Sequence, residues 1–93
     1  MGRLSLDSRL RICEDAVFRA LDGEGIILDM NAGVYYGLDP VGTRLWELIE
    51  AHGALRPVFE AACVEFEVDA ATLERDLIDL VEDLTAHRLV EVE

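Results

Sequence analysis

Two turn signals cut the first half of this chain into strand-length pieces, and they limit its fold more than any other feature. The run Asp22-Gly23-Glu24-Gly25 carries the glycine and acidic chemistry of a tight hairpin. Asn31-Ala32-Gly33 turns the chain again, because asparagine and glycine tolerate positive φ. Between and around them lie Val17–Leu21, Gly25–Met30 and Val34–Leu38, each short and apolar. Alternation places Ile26, Leu28 and Met30 on one face of the second piece and Ile27 and Asp29 on the other. In the third piece Val34, Tyr36 and Leu38 share a face, opposite Tyr35 and Gly37. The expectation is a three-stranded antiparallel meander.

After Leu38 the period changes from two to 3.6. Asp39-Pro40 is a helix start, with an acidic cap and a proline pre-set at the first helical position. Val41, Leu45, Leu48 and Ile49 form the stripe of that helix, Trp46 lies beside it, and Gly53 ends it. A shorter helix is expected from near Pro57 to Phe66, burying some of Val58, Phe59, Ala62 and Cys63. Asp69 caps a third and longest helix, ending near His87 or Arg88, with Leu73, Leu77, Leu80, Val81 and Leu84 on one face. The closing Leu89-Val90-Glu91-Val92-Glu93 is either a short strand or an extended tail. The opening Met1–Arg11 reads as a loose arm. Three strands followed by three helices make an α+β domain of winged helix-turn-helix type.

Charge narrows the possible partners. All 8 basic residues are arginines, the net charge is -12, and Glu60–Glu93 holds eleven acids against Arg75 and Arg88. Such a surface repels phosphate backbones and anionic lipid, which argues against nucleic acid and membrane partners and favours a basic or neutral one. Stepping the third helix at about 100° per residue puts Asp69, Asp76 and Asp83 on one flank of the leucine stripe, with Asp79 further round. Ile78 and Thr85 take the opposite flank. The acids form either a solvated face or a rail beside a groove for an extended, cationic peptide. A DNA-reading third helix would carry cations, whereas Arg75 is the only one in the interior of this helix.

No nucleophile–base grouping, phosphate-cradling glycine loop or HExxH pattern is present, so no catalytic residue is assigned. Cys13 and Cys63 are far apart, with no CxxC and no histidine at ligand spacing, which reads as free thiols and no metal site. His52 and His87 read as structural or solvated. No apolar run reaches membrane-span length and no signal-peptide-like segment opens the chain, as expected of a cytoplasmic protein.

The remaining feature is the pair Tyr35-Tyr36. If the meander is ordered one-two-three, Val34–Leu38 is an edge strand whose backbone groups can pair with an incoming chain. Gly37 would let that chain approach closely. The tyrosines are either recognition residues or ordinary members of the sheet. A free edge also leaves open a monomer or a weak dimer.

The run "ILDMNAGVYYGLDPVGTRLWELIE", then Val68-Asp69 and "LERDLIDLVEDLTAHRLVEV", resembles the PqqD-like proteins, the stand-alone RiPP recognition elements of peptide natural-product pathways. The likeness spans about Ala16–Val92, so residues 1–15 are expected as a flexible arm and residues 16–93 as the domain. "AHGALRPVF" departs from the family's usual short turn at the start of the second helix. The resemblance implies a non-catalytic, cofactor-free peptide-binding chaperone. It would bind the leader of a ribosomally made precursor and present it to a processing enzyme. By position, the leader would pair with Val34, Tyr35, Tyr36, Gly37 and Leu38, with Leu80, Asp76, Asp79 and Asp83 bordering the groove. "YYGLD.VGTRLWELIE" looks most like the leader-binding partners of lasso-peptide clusters, which work with a leader peptidase and a cyclase. The alternatives are a partner of a radical SAM enzyme, as in pyrroloquinoline quinone synthesis, and a winged-helix DNA-binding regulator.

Overall fold

The computed structural model describes residues 4–93. Its elements run β1 (Leu10–Ile12), β2 (Ala16–Leu21), β3 (Glu24–Asp29), β4 (Val34–Leu38), α1 (Pro40–His52), α2 (Leu55–Glu65), α3 (Ala70–Ala86) and β5 (Val90–Val92). The main sheet has the order β2-β3-β4, all antiparallel.

Local chemistry sets both turns. Leu21 pairs with Glu24, so the first hairpin closes on only Asp22 and Gly23, at φ 54° and 82°. Positive φ at both central residues gives a turn whose twist matches that of the strands. In the second, the Asp29 carboxylate accepts from the amides of Asn31 (2.9 Å) and Ala32 (3.1 Å), while Gly33 takes φ 73°.

The helices begin and end largely as their caps dictate. Asp39 accepts from the Gly42 amide at 2.7 Å ahead of Pro40, and Gly53 closes α1 at φ 73°. Asp69 caps α3 through the Thr72 amide at 3.1 Å, and Arg88 ends it at φ 60°. α2 starts two residues before Pro57 and has no side-chain cap. Instead the Leu55 amide donates to the Ser8 carbonyl at 3.0 Å, so the amino-terminal segment supplies the missing acceptor.

One core joins the sheet to the helices. Ile27, Trp46, Leu55, Val58, Leu77, Val81 and Leu84 are fully buried within it, and Phe18 lies 5.9 Å from the Trp46 ring. The sheet meets α1 closely at Gly25. Its amide donates to Thr43 Oγ1 at 2.7 Å, and a Cβ there would lie 2.5 Å from the Phe18 ring. Val41 departs from the expected stripe of α1, being 42% exposed in the first turn.

The expected loose arm is corrected from Ser8 onward. β1 pairs antiparallel with β5, joining Leu10 to Val92 and Ile12 to Val90, and Leu10 is buried. The Leu10 amide donates to the Gly53 carbonyl at 2.6 Å, and Arg11 forms an ion pair with Glu91. Residues 1–3 of that expected arm lie outside the described residues. The closing segment is a strand, and its partner is β1.

Candidate functional site

β4 has a neighbour on one side only. It pairs with β3, and among the described residues no strand lies along its other edge. The carboxyl-terminal strand, the obvious internal candidate for that edge, is engaged with β1.

The register shows which backbone groups face the open edge. A two-residue hairpin closes on a hydrogen-bonded pair, and in antiparallel ladders such pairs alternate with non-bonded ones. Starting from Leu21–Glu24, the even residues of β3 bond toward β2, and Ile27 and Asp29 bond toward β4. Their partners are Tyr36 and Val34, so those residues turn their amides and carbonyls inward. Tyr35 and Gly37 therefore direct their N–H and C=O groups outward. Those unpaired groups are what an added strand would meet.

The same strand touches the carboxyl-terminal end of α3 through Tyr36. On the strand side Val34 is 53% exposed, Tyr36 is half-buried and Leu38 is buried. On the helix side Leu80 is only partly buried, unlike Leu77 and Leu84, which face the core. Tyr36 Oη donates to Asp83 at 3.4 Å and links the strand to the helix at that point. The Tyr36 ring also meets His87 edge-on, with centroids 4.9 Å apart. His87 Nδ1 lies 2.8 Å from the Asp83 carbonyl. Since a carbonyl only accepts, Nδ1 carries the proton in this contact. Burial first, then the Asp83 charge and its hydrogen bond, hold the Tyr36 phenol above its ordinary pKa.

The expected site residues fall in different places. Tyr36 and Asp83 are brought together, Val34 and Leu38 share the inner face of β4 with Tyr36, Leu80 lies one turn before Asp83 on α3, and Tyr35 and Gly37 lie on the open side of the strand. Asp76 is exposed two turns before Asp83, on the same flank of α3. Asp79 instead shares a shallow depression with Glu74, Arg75 and Ile78 on the outer side of the helix. His87, expected as a structural or solvated residue, packs edge-on against Tyr36. Its spacing of seven from Leu80 and four from Asp83 puts all three near one line of the helix surface, and that spacing was the readable signal.

Gly37 has a further property. A Cβ placed there would meet nothing within 4 Å, and its φ is not positive. The fold itself does not require glycine at this position.

Among the described residues no group of three His, Cys, Asp or Glu side chains converges on a metal-sized site, and no helix is long and apolar enough to cross a membrane. Both cysteines are free and partly buried.

The family described as coenzyme PQQ synthesis protein D (PqqD) matches residues 24–90. Among solved structures, TbiB1 in complex with the TbiA(beta) leader peptide is similar at a TM-score of 0.81 and 37% identity, covering 87% of this chain and 94% of that one. A lasso peptide synthetase B1 complexed with its leader peptide has a TM-score of 0.79 over 89% of this chain and 98% of that one. Its identity is 20%, so that likeness concerns the fold. No curated protein matches the chain.

Proposed function

Because this chain belongs to the PqqD family, we propose that it binds the leader of a ribosomally made precursor peptide as a fourth strand on β4 and presents it to a processing enzyme. The observation that carries this reading is the free edge itself, where Tyr35 and Gly37 offer unpaired backbone groups; the groove would be the space between that edge and α3. Main-chain pairing would supply affinity, and contacts with Val34, Tyr36 and Leu80 would supply selectivity. Catalysis belongs to the partner, and the protein works in the cytoplasm, where the precursor is translated.

The pathway is that of a lasso peptide. What supports it over a radical SAM partnership is the run Tyr35–Glu50, which looks most like the leader-binding partners of lasso-peptide clusters; TbiB1, 37% identical, is itself in complex with a leader peptide. DNA binding is disfavoured by charge. Among the described residues Arg11, Arg44 and Arg56 are held by Glu91, Glu65 and Asp7, so few cations remain for phosphates.

Gly37→Pro is the decisive variant. Proline deletes an outward-facing donor without touching the ladder to β3, so the fold should survive. In a titration with fluorescently labelled leader peptide, wild type should bind at micromolar or tighter affinity, and Gly37→Pro should lose about tenfold or more. Equal affinity in a folded variant would refute strand addition.

A further inference from the structure

The main sheet buries one face and leaves the other bare. On the bare face the cross-strand rows are Val17–Leu28–Tyr35 and Arg19–Ile26–Gly37. Leu21 is 77% exposed, Tyr35 75%, Met30 60% and Ile26 47%. Leu21, Ile26 and Gly37 also bound a shallow hollow of about 320 Å³. Isolated apolar side chains on a surface are ordinary, but four exposed ones backed by the half-buried Val17 and Leu28 and rimmed by charge mark an interaction surface.

The rim identifies the occupant. Asp22 and Glu24 stand at one end of the plate and Asp15, whose carbonyl accepts from the Met30 amide at 2.8 Å, at the other. Among the described residues the only cation on the plate is Arg19. A second copy would bring the same acids and a net charge of -12 against it, so self-stacking is opposed by like charge. A surface with an apolar centre and an arginine- or lysine-rich margin is complementary.

We infer that the outer face of β2-β3-β4 is the docking surface for the processing enzyme, through an apolar patch with a basic margin. This inference rests on the proposed leader binding and extends it. β4 belongs to both surfaces, with its edge taking the leader and its outer face bordering the enzyme. Docking there seats the enzyme beside the bound peptide without covering the groove against α3.

The test compares wild type with Leu21→Lys/Ile26→Lys and, separately, Met30→Lys. All three side chains are exposed and lie outside the leader site, and Met30 is in a turn, so at least one variant keeps the native sheet. Two quantities are measured: affinity for labelled leader peptide, and affinity for the immobilised recombinant processing enzyme of the same biosynthetic cluster, with and without leader. The variants should hold leader within about twofold of wild type and lose about tenfold or more in affinity for the enzyme. Wild-type enzyme binding should weaken as salt rises from about 0.05 to about 0.5 M. Unchanged enzyme affinity in variants that still bind leader would overturn the assignment. So would sedimentation showing a wild-type dimer that the lysines dissociate, which would give the face to a second copy. Because the enzyme arm also runs without peptide, absent leader binding by wild type would count against strand addition alone.

Discussion

Gly25 and Gly37 lie in adjacent strands at the same end of one sheet, yet they are glycines for opposite reasons. At Gly25 the protein closes on itself, with Phe18 and Thr43 occupying the space a side chain would need. At Gly37 the space is empty and no positive φ requires glycine. One position serves the packing of β3 on α1 and the other faces outward. The contrast separates a glycine the fold requires from one the fold does not require.

The sharpest way to break this comparison is to add one methyl group at each position. Gly25→Ala should cost about 1–3 kcal/mol, since the Phe18 ring must move and the Thr43 contact must stretch. Gly37→Ala should leave stability unchanged or raise it by up to about 1 kcal/mol, by reducing the freedom of the unfolded chain. Urea midpoints at constant m-value measure both. Equal losses at the two sites would mean that Gly37 has a structural role not visible in its surroundings.

Thr43→Val sharpens the closed side. Valine keeps the shape but leaves the Gly25 amide buried without its 2.7 Å acceptor. An unsatisfied buried donor costs about 1–3 kcal/mol. A loss near zero would show that the contact contributes packing only.

The same division explains what was readable in the sequence. Elements set by neighbouring residues were legible: Asp22-Gly23 at the hairpin, Asp39-Pro40 and Gly53 around α1, and Asp69 before α3. Elements set by distant residues were not. β1 and β5 are three residues each and stand at opposite ends of the chain, so neither has enough periodicity to announce a partner. The start of α2 depends on the Ser8 carbonyl, far away in sequence, and no local cap marks it. In the site, the alternation of β4 correctly divided Tyr36 from Tyr35, which are half-buried and 75% exposed. The aspartates were harder. Heptad spacing kept Asp76 and Asp83 on one flank, but a helical wheel does not show which flank meets the sheet, and Asp79 lies further round, with Glu74, Arg75 and Ile78.

On the open side, charge should matter less than backbone. Asp76→Asn with Asp83→Asn should weaken labelled leader binding by only a few-fold, up to about tenfold, because exposed charge pairs contribute about 0.2–1 kcal/mol each. The salt dependence of binding should flatten in parallel. If affinity and salt slope are both unchanged, these acids serve solubility and the groove is read through its apolar side chains and strand edge alone.

The smallest effect expected lies where the two regions meet, at Tyr36. Its phenol is held above the ordinary value by burial and by Asp83. A raised pKa in the folded state means that the unfolded chain gives up the proton first as pH rises. The contribution of Tyr36 is therefore complete below the unfolded value of about 10 and fades as pH climbs through the folded one. Tyr36→Phe removes this dependence. The stability difference between wild type and variant, from urea midpoints, should stay constant up to about pH 9 and then shift against wild type above about pH 10. Adding leader peptide should move that onset further up, because a strand laid along β4 would shield the ring from water and disfavour the phenolate. Parallel curves for the two proteins would place Tyr36 in water on the open side of the boundary, and the hydrogen bond to Asp83 would then contribute nothing to holding β4 against α3.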